Sequence, residues 1–455
     1  MTVFKGIPFA AAPEGGLRFR PPVPAAAWEG VRDCLRFGSA PPQPAPAPGA
    51  PAAWWPGAGL DCLTLNVWTP DVVAGGLPVM VWIYGGLWKF GSSSMPHYDA
   101  SVLARSGAVV VTVNYRVGFE GFGHLPGVPD NRGLRDQVAA LEWVQSNISG
   151  FGGDPGNVTV FGQSAGAASI ALLLSAPSAS GLFRRAIAQS VPGGHRTVDD
   201  AEAVTESIAR AAGVPATWEG FAALPPEAIL AVQEAPFQGR GVGFVAFGPV
   251  LDGDLVTAPP GEAIASGAGR DVDLVTGFTH EEFRGLGPPP PPGVDLAEVA
   301  RAFGLPPAVA QAYRDSYPGL REPGLFTVML SDAVFRIPTL HLAQAHAAAG
   351  GRTWLYDFAW SGPTLGAAHC IDLPFVFGNP GSHFAARFLG SPPPADVHPL
   401  SERIRRSWLN FAATGDPGWP RLDDTLVARV WDTDPRDVED PIASSRRIWE
   451  TMVSA

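Results

Sequence analysis

The sequence of 455 residues contains little cysteine and no metal-binding pattern. Its three cysteines, Cys34, Cys62 and Cys370, are too few for a disulfide framework, and no cysteine or histidine cluster has the spacing of a zinc site. We expect the cysteines to be free thiols; the alternative is that two of them form a single disulfide bond. We also expect no metal ion and no cofactor.

Basic residues are scarce as well. The chain has 31 Lys and Arg against 43 Asp and Glu, which gives a net charge of −12 at pH 7 and a pI near 5.2. A nucleic-acid-binding protein needs a basic face to neutralise phosphates, so this composition argues against a nucleic-acid partner. The excess of acidic residues is explained by the solubility that a net charge gives a protein. The alternative is that the negative charge weakly attracts cationic substrates.

Long hydrophobic runs are missing too. The longest strongly apolar stretches, residues 79–84 and 108–115, are far shorter than the ~20 residues that span a bilayer, so no membrane span is predicted. The first nine residues lack the charged segment and apolar stretch of a signal peptide. On this basis the sequence predicts a cytoplasmic protein.

The remaining composition is that of a globular protein. Hydrophobic residues make up 46% of the chain. The combined share of its 54 Gly and 48 Pro is below the roughly 25–30% that is typical of disordered chains. Strand-like and helix-like patterns alternate, which predicts a doubly wound α/β fold with Pro-rich loops at 41–59 and 288–292. The predicted strands are 79–84, 108–115, 158–161, 273–276 and 353–358, and the predicted helices are 134–144, 167–175, 203–212 and 401–413.

A short motif after the third predicted strand carries the strongest chemical signal. Residues 162–166 read G-Q-S-A-G and are followed at once by a helix of small residues. This setting is typical of a nucleophile elbow, in which a strained turn exposes a serine hydroxyl. Ser164 is therefore the candidate nucleophile, and the N–H of Ala165 lies at a helix N-terminus that favours a developing oxyanion. The alternative is a strand–helix turn without chemistry.

Further segments give the sequence a family resemblance. Residues 4–10 read F-K-G-I-P-F-A, 61–67 read D-C-L-T-L-N-V, 131–137 read N-R-G-L-R-D-Q and 151–158 read F-G-G-D-P-G-N-V. Together with the elbow they resemble the type-B carboxylesterases, the group that includes cholinesterases and p-nitrobenzyl esterases. The resemblance implies a single α/β-hydrolase domain over residues 1–455, with a large, mostly parallel sheet and helices on both of its faces.

A glycine pair provides the second part of a predicted oxyanion hole. Residues 84–88, Y-G-G-L-W, are similar to the family's [HY]-G-G-G-[FW] loop, which implies the backbone N–H groups of Gly86, Leu87 and Ala165 as donors. Leu87 stands where the family has a third glycine. We expect its side chain to narrow the pocket and to disfavour esters of tertiary alcohols; the alternative is that it points into the core.

The resemblance also implies the base and its carboxylate partner. A serine nucleophile needs both, and in this fold the acid precedes the histidine along the chain. The block H-C-I-D-L-P-F-V-F-G is similar to the family's H-x-x-E-[LI]-P-[FY]-V-F-G and makes His369 the base, with Asp372 in a supporting position. The segment G-F-T-H-E-E-F resembles the one whose final Glu is the triad acid, which selects Glu282 over Glu281.

Aromatic residues near these loops are candidates for the substrate pocket. They are Trp88, Phe90 and Phe247, although an aromatic residue in this fold more often belongs to the core. By resemblance, Trp54 and Trp55 run along the pocket entrance, and ordinary loop packing is the alternative. No aromatic set suggests a quaternary ammonium site, so choline esters are not favoured.

Together these residues predict a monomeric serine carboxylesterase that hydrolyses small-molecule esters through an acyl-enzyme. An amidase, a carbamate hydrolase or an acyltransferase on the same triad is the alternative. A non-catalytic, adhesion-type relative is disfavoured because Ser164, Glu282 and His369 are all present. Met1 falls almost directly before the first family segment, where relatives carry another small β-region. A truncated start therefore stays open, which weakens the prediction of a cytoplasmic location.

Overall fold

The computed structural model describes residues 1–46, 52–233, 247–287, 293 and 295–453. The predicted loop at 288–292 and residues 47–51 of the loop at 41–59 lie outside the described residues. Ten strands in the described part of the chain form one sheet. They are β1 (Thr2–Pro8), β2 (Thr64–Thr69), β3 (Leu77–Ile83), β4 (Val109–Val113), β5 (Gly153–Gln163), β6 (Arg185–Gln189), β7 (Asp273–Thr279), β8 (Thr353–Phe358), β9 (Val427–Trp431) and β10 (Arg436–Glu439).

The sheet is parallel at its centre and antiparallel at its edges. Its strand order is β1-β2-β4-β3-β5-β6-β7-β8-β9-β10, and every pair from β4 to β9 is parallel. The pairs β1–β2, β2–β4 and β9–β10 are antiparallel. All residues of β4, β6, β7 and β8 are buried, so both faces of the central sheet are covered, as parallel strands require. This confirms the fold class that the resemblance implies.

The other regular elements among the described residues are helices, and a π-helical turn at Asp332–Arg336 joins two of them into one run. The α-helices are α1 (Ser101–Arg105), α2 (Gly118–Phe122), α3 (Arg132–Asn147), α4 (Ala165–Ser175), α5 (Val198–Ala212), α6 (Trp218–Ala222), α7 (Pro226–Val232), α8 (Pro260–Ala265), α9 (Leu296–Ala302), α10 (Val309–Ser316), α11 (Glu322–Ser331), α12 (Ile337–Ala348), α13 (Leu373–Phe377), α14 (His383–Leu389), α15 (Val397–Thr414) and α16 (Ala443–Val453). Short 3₁₀ turns lie at Gly15–Leu17, Pro96–Tyr98, Ile148–Phe151 and Pro177–Ala179.

The nine elements predicted from periodicity are all present, with shifts of a few residues at their ends. Strand β8 has the predicted bounds, whereas β5 extends from Gly153 to Gln163 around a predicted core of four residues. Helices α5 and α15 end at Gly213 and Gly415, whose φ angles of 68° and 81° are favourable only for glycine. The prediction of an alternating α/β pattern is therefore confirmed element by element.

One long apolar helical run escaped the sequence prediction. Glu322–Ala348, which contains α11, the π-turn and α12, is long and apolar enough by composition to cross a membrane. However, 61% of its apolar window is buried inside the protein, and Met329, Phe335 and Leu340 are core residues. The run therefore packs as a core helix.

The carboxyl ends of the central strands bring the predicted functional loops together. The chain passes from β3 to Gly86, from β5 to Ser164, from β7 to Glu282 and, after a longer loop, from β8 to His369. Since parallel strands all end at the same edge of a sheet, these four positions lie on one side of the molecule.

Candidate active site

Ser164 lies in a strained turn between β5 and α4. Its φ of 57° and ψ of −126° fall in a region that side-chain-bearing residues rarely adopt, at a cost of about 1–3 kcal/mol. Its own N–H donates to the Gln189 carbonyl at 2.9 Å, which ties the turn to the neighbouring strand β6. The turn therefore has the conformation expected of a nucleophile elbow.

The two glycines of the motif are required by close backbone contact. A Cβ added at Gly162 would lie 2.7 Å from the carbonyl oxygen of Ile83, and one added at Gly166 would lie 2.1 Å from the same atom. Strand β3 therefore touches both the end of β5 and the first turn of α4. No larger residue fits unless that backbone moves.

We expect Gly166→Ala to destabilise the protein by about 1–3 kcal/mol, because the clash is with backbone rather than with a flexible side chain. Gly261→Ala in α8 is the matched control, since an added Cβ there meets no atom within 4 Å. This control should be neutral or more stable by up to about 1 kcal/mol. Chemical denaturation measures both, and equal free energies of unfolding would contradict the packing argument.

The loop after β3 passes close to Ser164. A Cβ added at Gly85 would lie 3.0 Å from the Ser164 Cβ, and Gly86, Leu87 and Trp88 all have positive φ angles of 123°, 59° and 53°. Within the described part of the chain, the N–H groups of Gly86, Leu87 and Ala165 donate to no acceptor. These N–H groups are therefore available to an oxygen atom bound beside Ser164.

A buried glutamine supports this loop. Gln43 donates from Nε2 to the Gly91 carbonyl at 2.8 Å and accepts at Oε1 from the Gly91 N–H at 2.8 Å. Trp88 is fixed separately, because its indole N–H donates to Ser169 Oγ of α4 at 3.0 Å. The sequence analysis missed Gln43. The only signal in the sequence is a polar side chain in a Pro-rich loop.

His369 faces Glu282 across two adjacent loops. Its Nδ1 is hydrogen-bonded to Glu282 Oε2, and its backbone N–H donates to the Glu282 carbonyl at 3.3 Å. The other carboxylate oxygen of Glu282 accepts from the Thr279 N–H at 2.8 Å, and the residue is fully buried. The carboxylate thus holds one tautomer of His369, with Nδ1 protonated and Nε2 free to accept a proton.

The neighbouring Glu281 points away from the histidine. Its side chain accepts from the Ala367 N–H at 3.1 Å and pairs with Arg284 at 3.0 Å. The structure therefore pairs Glu282 with His369 and gives Glu281 a structural contact. Ser164 follows Gln163, whose Nε2 lies 3.0 Å from His369 Nε2.

The surroundings of His369 set its protonation. Burial disfavours the charged imidazolium, but the neighbouring Cys370 and the Glu282 carboxylate favour it, and together they raise the pKa of His369 well above its usual value. The ring of Phe335, from the π-helical turn, covers the imidazole with centroids 4.3 Å apart. Sequence analysis did not find Phe335, since only tertiary packing brings it to the site.

Asp372 lies behind the histidine in a supporting position. It is buried, and its Oδ2 accepts from Gln189 Nε2 at 2.7 Å. Burial raises the pKa of Asp372 to about 6. Asp372 stands at the position where the family motif has Glu. Its shorter side chain contacts Gln189 of strand β6.

A cavity of about 450 Å³ opens beside Ser164. Ala165, Gly248, Pro249 and residues 192–195 contribute to its wall, and Arg196 and Asp200 are its charged residues. Its apolar lining comes from three different loops and the π-turn: Leu87, Trp88, Phe247, Phe283, Leu286, Val334 and Phe335. The Leu87 side chain therefore lies in the cavity wall rather than in the core.

Two of the three aromatic pocket candidates contribute to this cavity. Trp88 and Phe247 do, but Phe90 does not, because the loop turns back at Gly86, whose carbonyl accepts from the Phe90 N–H at 3.0 Å. Trp54 is buried and donates to the Gly59 carbonyl, while Trp55 is 62% exposed; neither is among the residues that line the cavity. The prediction that Phe90 forms a pocket wall is therefore wrong.

Metal-binding groups are not found within the described ranges: no cluster of three His, Cys, Asp or Glu side chains could hold an ion. All three cysteines are free thiols. What the site offers is a serine, a histidine, a carboxylate and backbone N–H donors.

Most of the chain matches one family. The sequence profile of the carboxylesterase family matches residues 1–289 and 321–436. The chain belongs to the carboxylesterase family. It is 37% identical to the para-nitrobenzyl esterase of Bacillus subtilis, covering 98% of this chain and 94% of that one. It is 36% identical to the fumonisin B1 esterase of Sphingopyxis macrogoltabida, with coverages of 93% and 82%.

Solved carboxylesterases share the fold. The Geobacillus stearothermophilus carboxylesterase EST55 is 36% identical, with a TM-score of 0.87 over 98% of this chain and 96% of that one. Together with the relatives, this likeness shows that the protein is a serine carboxylesterase, a hydrolase of carboxylic esters. A catalytic triad and an oxyanion hole are typical of the family.

Proposed function

We propose that this carboxylesterase hydrolyses hydrophobic small-molecule esters, with Ser164 as nucleophile, His369 as general base and Glu282 as orienting carboxylate. The observation that carries the assignment is the Glu282–His369 pair, whose imidazole contacts Gln163, the residue directly before a serine in an elbow conformation. The cavity supports the substrate class, because seven apolar side chains line it. Its volume of about 450 Å³ accommodates a small acyl or alcohol group. We also propose a monomer.

The proposed mechanism follows from these positions. Ser164 Oγ attacks the ester carbonyl carbon while His369 Nε2 takes its proton, and Glu282 stabilises the imidazolium. The N–H groups of Gly86, Leu87 and Ala165 bind the tetrahedral oxyanion. The C–O bond to the alcohol then breaks, and His369 returns the proton to the leaving alkoxide. Water, activated by the same histidine, cleaves the acyl-enzyme and regenerates Ser164.

A fluorophosphonate ester tests the assignment directly. We expect one phosphonyl group per chain with loss of fluoride, located by mass spectrometry on the peptide that contains Ser164. Parallel assays with p-nitrophenyl butyrate and butyranilide separate the ester hydrolase from the amidase alternative. Labelling of another residue, or a faster reaction with the anilide than with the ester, would contradict the proposal.

Leu87 is expected to restrict the alcohol group. Its side chain lies in the cavity wall beside Ser164, and its φ of 59° is strained for a residue with a Cβ. We expect Leu87→Gly to raise kcat/KM for a tert-butyl ester by about tenfold, since removing a wall of this size changes steric discrimination by 1–3 kcal/mol. The n-butyl ester is the reference substrate. An equal change for both esters would show that Leu87 does not select against branching.

A further inference from the structure

The ring of Phe335 lies against the imidazole of His369. The two ring centroids are 4.3 Å apart, and the ring planes differ by 31°. Rings that met edge to edge would have centroids about 6 Å apart, since non-bonded carbon atoms pack about 3.5–4.0 Å from one another. The face of the Phe335 ring therefore overlaps the imidazole. Phe335 is 2% exposed and His369 is 8% exposed, so water screens this contact little.

The π-turn that carries this ring is tied to the loops around the site. The buried Arg336 guanidinium donates to Asp332 Oδ1 at 2.7 Å and to the His280 carbonyl at 2.8 Å. The Val334 carbonyl accepts from the Gly193 N–H at 3.1 Å. These bonds anchor the turn both to the loop of the triad acid and to the loop after β6. The backbone that carries the ring is therefore held in place relative to the histidine.

An aromatic face attracts a cation. The π-system is negative at the face of the ring, and a cation within about 6 Å of the centroid is stabilised, most strongly where water is excluded. A neutral imidazole carries no net charge for this attraction. In the proposed mechanism, His369 becomes a cation when it takes the Ser164 proton. The attraction therefore grows during the chemical step, which is the condition under which a contact lowers the barrier.

We propose that Phe335 is a positioning residue that acts through His369: the face of its ring holds the imidazole and stabilises the imidazolium that forms as Ser164 loses its proton. The inference rests on the proposed roles of Ser164 and His369. It adds a residue to which neither the sequence motifs nor the family comparison assigns a role. The alternative is that the ring serves only as an apolar wall of the cavity, to which it also belongs.

Other groups act on the same imidazole. The loop after β7 contributes the Glu282 carboxylate, and the loop of His369 contributes Cys370 and Asp372. The acidic and the basic residue of the π-turn pair with one another. The side chains of the elbow are uncharged. A test of the Phe335 ring must therefore leave these groups and the volume of the cavity unchanged.

Fluorinated phenylalanines in place of Phe335 meet this requirement. Each ring fluorine weakens the negative face, while the ring keeps nearly the same shape. We expect the series from 4-fluoro- to 3,4,5-trifluorophenylalanine to lower kcat/KM for p-nitrophenyl butyrate stepwise, by about 2–30-fold in total. The acid limb of kcat/KM should move to lower pH by about 0.4–1.5 units, because a less stabilised imidazolium lowers the pKa of His369.

The same series in place of Phe247 is the matched control. Phe247 also lines the cavity, and its ring contact in the described part of the chain is with Phe119, at 6.2 Å between centroids. Fluorine there should leave the acid limb in place, whatever it does to KM. The imidazole resonances of His369 give its pKa by NMR in both series, independently of turnover.

An acid limb that stays in place as fluorines are added at Phe335 would overturn the inference, whatever happens to kcat/KM, because an apolar wall does not respond to the charge distribution of its ring. Equal shifts in the Phe247 series would overturn it as well. Failure of the proposed function has a different signature. In that case the fluorophosphonate does not label Ser164 of the wild-type enzyme.

Discussion

Replacement of Ser164 by alanine should reduce kcat for p-nitrophenyl butyrate by about 10⁴–10⁶-fold. The variant keeps the elbow, the cavity and the backbone donors, and loses only the hydroxyl that forms the acyl-enzyme. Alanine tolerates the same backbone conformation about as well as serine, so the free energy of unfolding should stay within about 0.5 kcal/mol of the wild type. The expected phenotype is therefore a folded protein without turnover.

Ser175→Ala is the matched control for this prediction. Ser175 is the last residue of the same helix, α4, and its hydroxyl donates to the Leu172 carbonyl at 2.9 Å. The activity of the Ser175→Ala variant should stay within about twofold of the wild type, since substitutions away from the core and from functional contacts have small effects. If Ser164→Ala kept a tenth or more of the wild-type activity, Ser164 could not be the nucleophile.

The interior of the sheet could be predicted from the sequence because its strands are buried on both faces. A run such as residues 109–113, V-V-V-T-V, is apolar on both sides and so stands out from its surroundings. The edge strands carry no such signal. Strand β10 is mostly exposed, with the sequence R-D-V-E, and its pairing with β9 depends on tertiary context rather than on hydrophobic pattern.

The site could be predicted only where a motif fixes the backbone. Ser164, Glu282 and His369 follow strand ends, and the resemblance identified them as a set. Phe90 shows the limit of that reasoning: it lies two residues after Trp88, but its N–H bonds back to the Gly86 carbonyl and it is not among the residues that line the cavity. The contact between Gln163 and the imidazole of His369 was also missed, because it joins residues 206 positions apart in the chain.

Exchanging each adjacent glutamate for glutamine should separate their roles. Glu282→Gln should lower kcat/KM by about 10²–10⁴-fold, because the amide neither stabilises the imidazolium nor secures the tautomer that leaves Nε2 free. Glu281→Gln is the matched control, with the same chemistry one residue earlier. The kcat/KM of Glu281→Gln should stay within about fivefold of the wild type. This variant loses only a half-exposed ion pair with Arg284 and keeps an acceptor for the Ala367 N–H.

The pH profile distinguishes the Glu282 effect from a general loss of structure. In the wild type, the Glu282 carboxylate helps to raise the pKa of His369, so activity is lost as pH falls through that raised value. Without this charge, burial lowers the pKa, and the acid limb of the residual activity should move to lower pH. If Glu281→Gln lost its activity and Glu282→Gln kept the wild-type activity, Glu281 rather than Glu282 would be the partner of His369. An unshifted limb in Glu282→Gln would mean that its carboxylate does not act through His369.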